Sequence, residues 1–225
     1  MVSALKELKD CLSTEGPLRT VNIIWGRFLE LAFDWRYRTD TTRRIEQVEL
    51  DVTSANKQEA TRYQPSGLRT LRSLFRHMKF PHDAVFVDFG CGKGRVLLLA
   101  AAYGFKRVVG IEFSPELCAI ARENVISFGK RRKISEVEIV QGDVCDYKMK
   151  GDETIFYYFH PFSADILNRT LDKIVESLTI YPRRAWIFYY LPRHGKVFDD
   201  RPQFRQVSKR VFGEYEAIVY EYKPK

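Results

Sequence analysis

The sequence predicts an α/β fold, a parallel sheet of strand–helix units closed by an antiparallel hairpin. Three observations predict it. Val85 to Arg95, VFVDFGCGKGR, runs from alternating apolar residues through a glycine-rich turn into the apolar stretch Val96–Tyr103. Strand-like and helix-like segments then alternate as far as Tyr190. Near the end, Phe204–Val211 and Tyr215–Tyr222 read as two strands joined by Phe212, Gly213 and Glu214.

The glycine turn carries the most chemical information. Gly90, Gly92 and Gly94 follow Asp88 at every second position. Glycine tolerates positive φ and lacks a Cβ, so a ligand can lie against the backbone. The free N–H groups at the following helix start favour polar or anionic ligand groups. A dinucleotide fingerprint needs G-x-G-x-x-G, but Arg95 stands where its third glycine belongs. Lys93 is followed by Gly94 rather than by a hydroxyl residue, so a P-loop is excluded too.

The strands downstream end in polar residues. Lys106–Phe113 is a strand ending at Glu112, roughly 20 residues past the turn, where an acid accepts hydrogen bonds from a ribose. Ser114 and Pro115 then start a helix. Val137–Val140 is a third strand closed by Gln141, Gly142 and Asp143. Thr154–Phe159 is a fourth, closed by His160, Pro161 and Phe162. A helix over Asp165–Thr179 and a strand over Ala185–Tyr190 complete the alternation. Right-handed crossovers bring all these strand ends to one edge.

The D-x-G-x-G-x-G turn and the acids Glu112 and Asp143 resemble those of the class I, seven-strand S-adenosylmethionine-dependent methyltransferases. The resemblance implies a Rossmann-like seven-strand sheet with a C-terminal antiparallel hairpin, and S-adenosylmethionine as cofactor. It implies that Asp143 or a neighbour meets the adenine amino group and that Val144 gives a backbone N–H to the ring. Carried over residue by residue, the cofactor site comprises Asp88, Gly90, Cys91, Gly92, Gly94, Glu112, Phe113, Gly142, Asp143, Val144 and Phe159. No metal ligand set is signalled.

In this fold the acceptor lies at the end of the fourth strand, here YYFHPF, Tyr157 to Phe162. Methyl transfer from a sulfonium needs an in-line nucleophile, removal of its proton where necessary, and exclusion of water. An unperturbed histidine ionises near neutrality, which makes His160 the leading catalytic candidate, with Tyr158 and Phe162 beside it. His160 also has a plainer reading, as a strand-end cap. Amino-directed DNA and protein methyltransferases often carry Asn or Asp, then Pro-Pro and an aromatic here. The single proline and His160 argue against adenine-N6 methylation of DNA.

Residues 1–84 read as a helical extension serving as cofactor and substrate lid, and residues 85–225 as the cofactor-binding core. Leu5, Leu8 and Leu12 suggest a short amphipathic helix. A second helix is expected over Pro17–Tyr37, with Val21, Ile24, Trp25, Phe28, Leu29 and Leu31 on or near its apolar face. Arg36–Arg44 reads as a polar loop, and Pro65 and Ser66 open a helix carrying Leu68, Leu71, Leu74, Phe75 and Met78. Tyr63, Pro65 and Ser66 also resemble a tyrosine-x-proline element of non-SET lysine methyltransferases. In those families this upstream loop helps cover the cofactor, which places Tyr63 at the site.

The composition of 225 residues, 45% of them hydrophobic, suits one domain with a decorated N-terminus. Cys11, Cys91, Cys118 and Cys145 are dispersed, which suits reduced thiols in a cytoplasm. No apolar run reaches transmembrane length, and no signal peptide or membrane partner is expected. The net charge of +8 is spread along the chain, with one dense cluster at Lys130–Lys133. That cluster reads first as a solvated loop and second as a contact for nucleic acid phosphates.

The favoured acceptor is therefore a protein, lysine among the candidates, or a small-molecule nitrogen or oxygen. Nucleic acid is the runner-up acceptor. A nicotinamide-dependent oxidoreductase is disfavoured by Arg95, and a non-catalytic nucleotide-binding module by the intact Asp88, Glu112 and Asp143.

Overall fold

The computed structural model describes residues 16–43, 66–78, 80–81, 83–159, 162–212 and 215–224. Seven strands form one sheet: β1 (Val85–Phe89), β2 (Arg107–Glu112), β3 (Glu136–Gln141), β4 (Glu153–Phe159), β5 (Ala185–Tyr190), β6 (Phe204–Phe212) and β7 (Tyr215–Tyr222). Their order is β3-β2-β1-β4-β5-β7-β6. β3, β2, β1, β4 and β5 are parallel, whereas β7 is antiparallel to β5 and to β6. The order reverses between β1 and β4, the switch point at which open α/β sheets bind ligands.

Among the described residues five helices accompany the sheet: α1 (Pro17–Tyr37), α2 (Leu68–Met78), α3 (Arg95–Tyr103), α4 (Pro115–Gly129) and α5 (Ala164–Ile180). Local chemistry sets their starts. Proline opens α1 and α4, while the Ser114 and Ser163 hydroxyls accept the Leu117 and Ile166 N–H groups. The strands alternate side chains between two cores. One contains Phe86, Tyr157, Phe188 and Tyr190, packed with Leu71, Leu74 and Phe75 of α2 and Leu97 and Leu98 of α3. The other contains Val87, Phe89, Phe156 and Tyr158, packed with Ile166, Leu171 and Ile174 of α5.

Gly110 on β2 makes one of these packings possible. It lies opposite Asp88, and a Cβ there would stand 2.5 Å from Leu97 Cδ1 and 2.7 Å from Cys91 Sγ. The glycine turn and α3 therefore fold onto β2 through its missing side chain.

α1 has the expected bounds but the opposite orientation. Val21, Ile24, Trp25, Phe28, Leu31 and Trp35 are exposed. The inward face carries Phe33 and Tyr37, whose rings pack on Phe128 of α4 at 5.6 and 4.5 Å, together with Glu30 and Asp34. Those two acids have polar partners on the protein side, and these partners fix the helix rotation. The expected amphipathic helix over Leu5–Leu12 and the turn residues Gly213 and Glu214 lie outside the described residues.

Candidate active site

The ends of β1, β2, β3 and β4 meet at one edge. Phe89 stands opposite both Ile111 and Tyr158, and Glu112 stands opposite Gln141. Gly90, Gly92 and Gly94 all have positive φ, at 77°, 54° and 80°, a backbone path that only glycine follows readily. The Gly90 and Cys91 N–H groups both donate to Ile111 O, at 2.9 and 3.0 Å, which ties the turn to β2.

Glu112 holds the turn from the sheet side. Its Oε2 accepts the Gly92 N–H at 2.9 Å and its Oε1 accepts the Ser114 N–H at 3.0 Å. Burial raises its pKa, and the backbone N–H bonds from Ser114, Gly92 and Phe113 oppose the rise. Each carboxylate oxygen keeps a further lone pair for a ribose hydroxyl.

The Asp88 carboxyl is buried, and among the described residues its side chain has no hydrogen-bond partner. Burial raises its pKa well above the ordinary range, and the neighbouring Glu112 charge raises it further. Two buried carboxyls thus share one small site. This pair suits a ligand that brings positive charge, as the ammonium and sulfonium of S-adenosylmethionine do. It repels a pyrophosphate.

The basic residues of the turn do not offset that repulsion. Lys93 Nζ donates to Asp40 Oδ2 at 3.0 Å and to Arg43 O at 2.7 Å. Arg95 is buried against Glu30, Thr41, Thr42 and Ser66. The expectation against a nicotinamide dinucleotide therefore has a physical basis beyond the missing third glycine. Positive charge next to the turn is consumed inside the protein.

The remaining candidates divide. Gly142 closes β3, its N–H donating to Glu112 O at 2.9 Å. Asp143 caps a short 3-10 turn over Val144–Asp146, its Oδ1 accepting the Cys145 N–H at 2.8 Å. The Asp143 carboxylate thus orders the chain around Val144, which is buried. Phe113 follows Glu112 half-buried. Cys91 is a buried thiol whose pKa is pushed well up by burial, so it lines the turn without serving as a nucleophile.

At the end of β4, Phe159 is half-buried. Its ring lies 5.0 Å from Tyr190 and 6.4 Å from Tyr215. Tyr190 and Tyr215 were not singled out from the sequence, although YY at the end of β5 and a tyrosine opening β7 are visible there. Tyr158 departs from its expected role. It faces the α5 core, fully buried, and its hydroxyl donates to Thr170 Oγ1 at 3.0 Å. Strand alternation puts it on the sheet face opposite Asp88, Tyr157 and Phe159. Phe162 is half-buried, edge-on to the Tyr158 ring at 6.4 Å. His160 and Tyr63 lie outside the described residues, and no metal-binding cluster occurs among the described residues.

Asn124 was missed, and Ser66 was named only at a helix start and in the tyrosine-x-proline element, without its partner. Asn124 Nδ2 donates to Lys93 O at 2.9 Å and to Asp40 O at 3.1 Å, and its Oδ1 accepts the Asp40 N–H at 2.7 Å. Ser66 Oγ lies 3.0 Å from the Tyr157 hydroxyl. Single polar residues in helical or loop stretches give no sequence signal of such long-range pairing.

Comparison with known proteins agrees with this geometry. Residues 86–179 match the methyltransferase domain family. A protein-lysine N-methyltransferase of Saccharolobus islandicus is 29% identical over 118 residues, 52% of this chain and 71% of that protein. A ribosomal protein L11 methyltransferase of Alkaliphilus oremlandii is 23% identical over 151 residues, 63% of this chain and 44% of that protein. The chain thus spans less than half the length of the second relative. Among solved structures, an RNA methyltransferase of Salinibacter ruber in complex with S-adenosyl-L-homocysteine superposes with a TM-score of 0.54 at 19% identity. That alignment covers 72% of this chain and 95% of the other. Strand order and structural similarity show the seven-strand methyltransferase fold, within which residues 86–179 match the methyltransferase domain family.

Proposed function

We propose that the enzyme methylates an amine of a protein acceptor, a lysine side chain in the first instance. The observation that carries this reading is the aromatic cluster at the end of β4, the half-buried rings of Phe159 and Tyr215 packed on the buried Tyr190. Aromatic faces attract an ammonium and its methylated products, and they keep water from the reacting centre. The matches to a protein-lysine methyltransferase and to ribosomal protein L11 methyltransferases support a protein acceptor. The tyrosine-x-proline resemblance at Tyr63 and Pro65 points the same way.

When bound, S-adenosylmethionine supplies an activated methyl group. The chain's own residues bind, orient and shield. Glu112 and Asp88 offer the negative charge and ribose acceptors, the glycine turn lets the ligand approach the backbone, and the Asp143-capped turn orders the chain around Val144. His160, next after Phe159, is proposed to orient the acceptor nitrogen or take its proton.

The reading is tested by incubating the enzyme and labelled methyl donor with fractionated cell lysate, then hydrolysing the labelled material to amino acids. Label recovered as methyl-lysine supports it. Label that is lost on ribonuclease treatment, or that remains in the small-molecule fraction, overturns it.

A further inference from the structure

Arg95 is the first residue of α3 and follows the last glycine of the turn. Its side chain is 2% exposed. A guanidinium has five N–H donors, and here five acceptors surround it. Nε donates to Thr41 Oγ1 at 3.0 Å. One terminal nitrogen meets Glu30 Oε1 at 3.0 Å and Ser66 O at 3.4 Å. The other donates to Thr41 O and Thr42 Oγ1, both at 2.9 Å. No donor is left over for a ligand.

The acceptors come from three places: the middle of α1, the loop after α1, and the residue pair before α2. The loop is itself braced by Asp34. That carboxylate accepts the Thr41 and Thr42 N–H groups at 3.0 and 2.8 Å and the hydroxyls of Thr39 and Thr41, both at 2.7 Å. Lys93 and Asn124 fasten the same loop at Asp40 and Arg43. Ser66 continues inward to the Tyr157 hydroxyl, and Tyr157 lies opposite Asp88 in the sheet register. The glycine turn is therefore gripped from two sides, by Glu112 from the sheet and by Arg95 from the N-terminal portion.

We propose that Arg95 is a positioning residue for the cofactor, clamping α1, the 41–42 loop and Ser66 onto the glycine turn so that its backbone is fixed for S-adenosylmethionine. This rests on the cofactor assignment above. Arg95 acts through the turn and does not touch the ligand. Loss of the clamp frees the start of α3, whose N–H groups and preceding glycines make the cofactor cradle.

The test is titration calorimetry of S-adenosylhomocysteine against the full chain and Arg95→Ala, together with amide hydrogen exchange of both. Binding is expected to weaken by about 10- to 100-fold, the scale of a lost charged hydrogen-bond set. Exchange should rise at residues 90–95 and 38–43 while β4 and β5 stay protected. Arg95→Lys keeps the charge but not the fork and should recover only part of the affinity. If Arg95→Ala does not fold, Glu30→Gln carries the test, with an expected loss of about 3- to 10-fold. Unchanged affinity in a folded variant overturns the proposal. So does a lower melting temperature with unchanged affinity and exchange at the turn, which is the signature of a merely structural residue. A parent protein that fails to bind S-adenosylhomocysteine overturns the cofactor assignment and this proposal together.

Discussion

The Glu112 carboxylate accepts the Gly92 N–H at 2.9 Å, so the residue expected to hold the ribose also holds the glycine turn. Its two roles are mechanically linked. The other oxygen of this carboxylate is anchored to the Ser114 N–H, so a ribose held by Glu112 would be held together with the turn.

Glu112→Ala is therefore expected to weaken S-adenosylhomocysteine binding by about 1.5–3 kcal/mol, the scale of a hydrogen bond to a charged group. The turn loses one of its sheet-side anchors as well, while the Gly90 and Cys91 bonds to Ile111 O remain, so the loss should fall at the upper end of that range. Glu112→Gln keeps one acceptor oxygen and should lose less. Calorimetry on both variants checks the order. Equal binding by parent and Ala variant removes Glu112 from the ribose site.

Asp88 gives a pH prediction. Its folded pKa lies well above the ordinary carboxyl range because of burial and the Glu112 charge. Such a group binds its proton more tightly when folded. Its contribution to stability is complete below the unfolded pKa, about 4, and is lost as pH rises through the raised folded value. At neutral pH the buried Asp88 therefore disfavours the ligand-free fold. Asp88→Asn should melt higher than the parent at about pH 8, and the gap should close towards about pH 4. Its affinity for S-adenosylhomocysteine should fall, because the amide cannot ionise to a carboxylate that pairs with the ligand's ammonium. Thermal melts at the two pH values decide it, and a parent that melts higher than Asp88→Asn at the upper pH rules it out.

Gly110 and Gly142 should behave oppositely. A Cβ at Gly110 meets Leu97 Cδ1, Cys91 Sγ and Cys91 Cβ, all within 2.9 Å. Gly110→Ala should cost about 1–3 kcal/mol of stability, as overpacked sites do, and displace the turn at Cys91. A Cβ at Gly142 meets nothing within 4 Å. Gly142→Ala should leave stability within about 0.5 kcal/mol, so any effect should be on cofactor affinity alone. Denaturant titrations of both variants provide the comparison.

These sites show where sequence was sufficient. The strands were legible as short apolar or alternating runs, and those at the glycine turn and Glu112 are bounded by a glycine or an acid. Ala185–Tyr190 and Tyr215–Tyr222 have the expected bounds, and β4 and β6 each differ by one residue at one end. Asp88, Glu112 and the glycines were legible because their spacing is local to one strand–turn–helix unit. Arg95 and Lys93 were read only by what they exclude, since their partners at Glu30, Asp40–Arg43 and Ser66 are distant in sequence. The rotation of α1 was misread for a related reason. Periodicity locates an apolar face, but here Glu30 and Asp34 find buried-side partners and draw the polar face inward. Tyr158 failed as a site residue because alternation along TIFYYF puts adjacent tyrosines on opposite faces, Tyr157 towards Ser66 and Tyr158 towards Thr170.

The last prediction concerns His160, which follows Phe159 at the end of β4. Phe159 stands opposite Tyr190 in the sheet, within the aromatic cluster proposed to receive the acceptor. If His160 orients or deprotonates the acceptor nitrogen, His160→Ala should lower turnover by about 10²–10⁴-fold, the range for a lost acid–base group. The pH profile of turnover should also lose its limb near neutrality. S-adenosylhomocysteine affinity should stay within about twofold, or ~0.4 kcal/mol, because the expected adenosine contacts lie on β1, β2 and the segment after β3. Turnover is measured once an acceptor protein has been identified by labelling. Full activity in the variant assigns His160 to a strand cap and moves the search to Phe162, since the Tyr158 hydroxyl is already committed to Thr170. Loss of cofactor affinity together with turnover places His160 in the cofactor pocket instead.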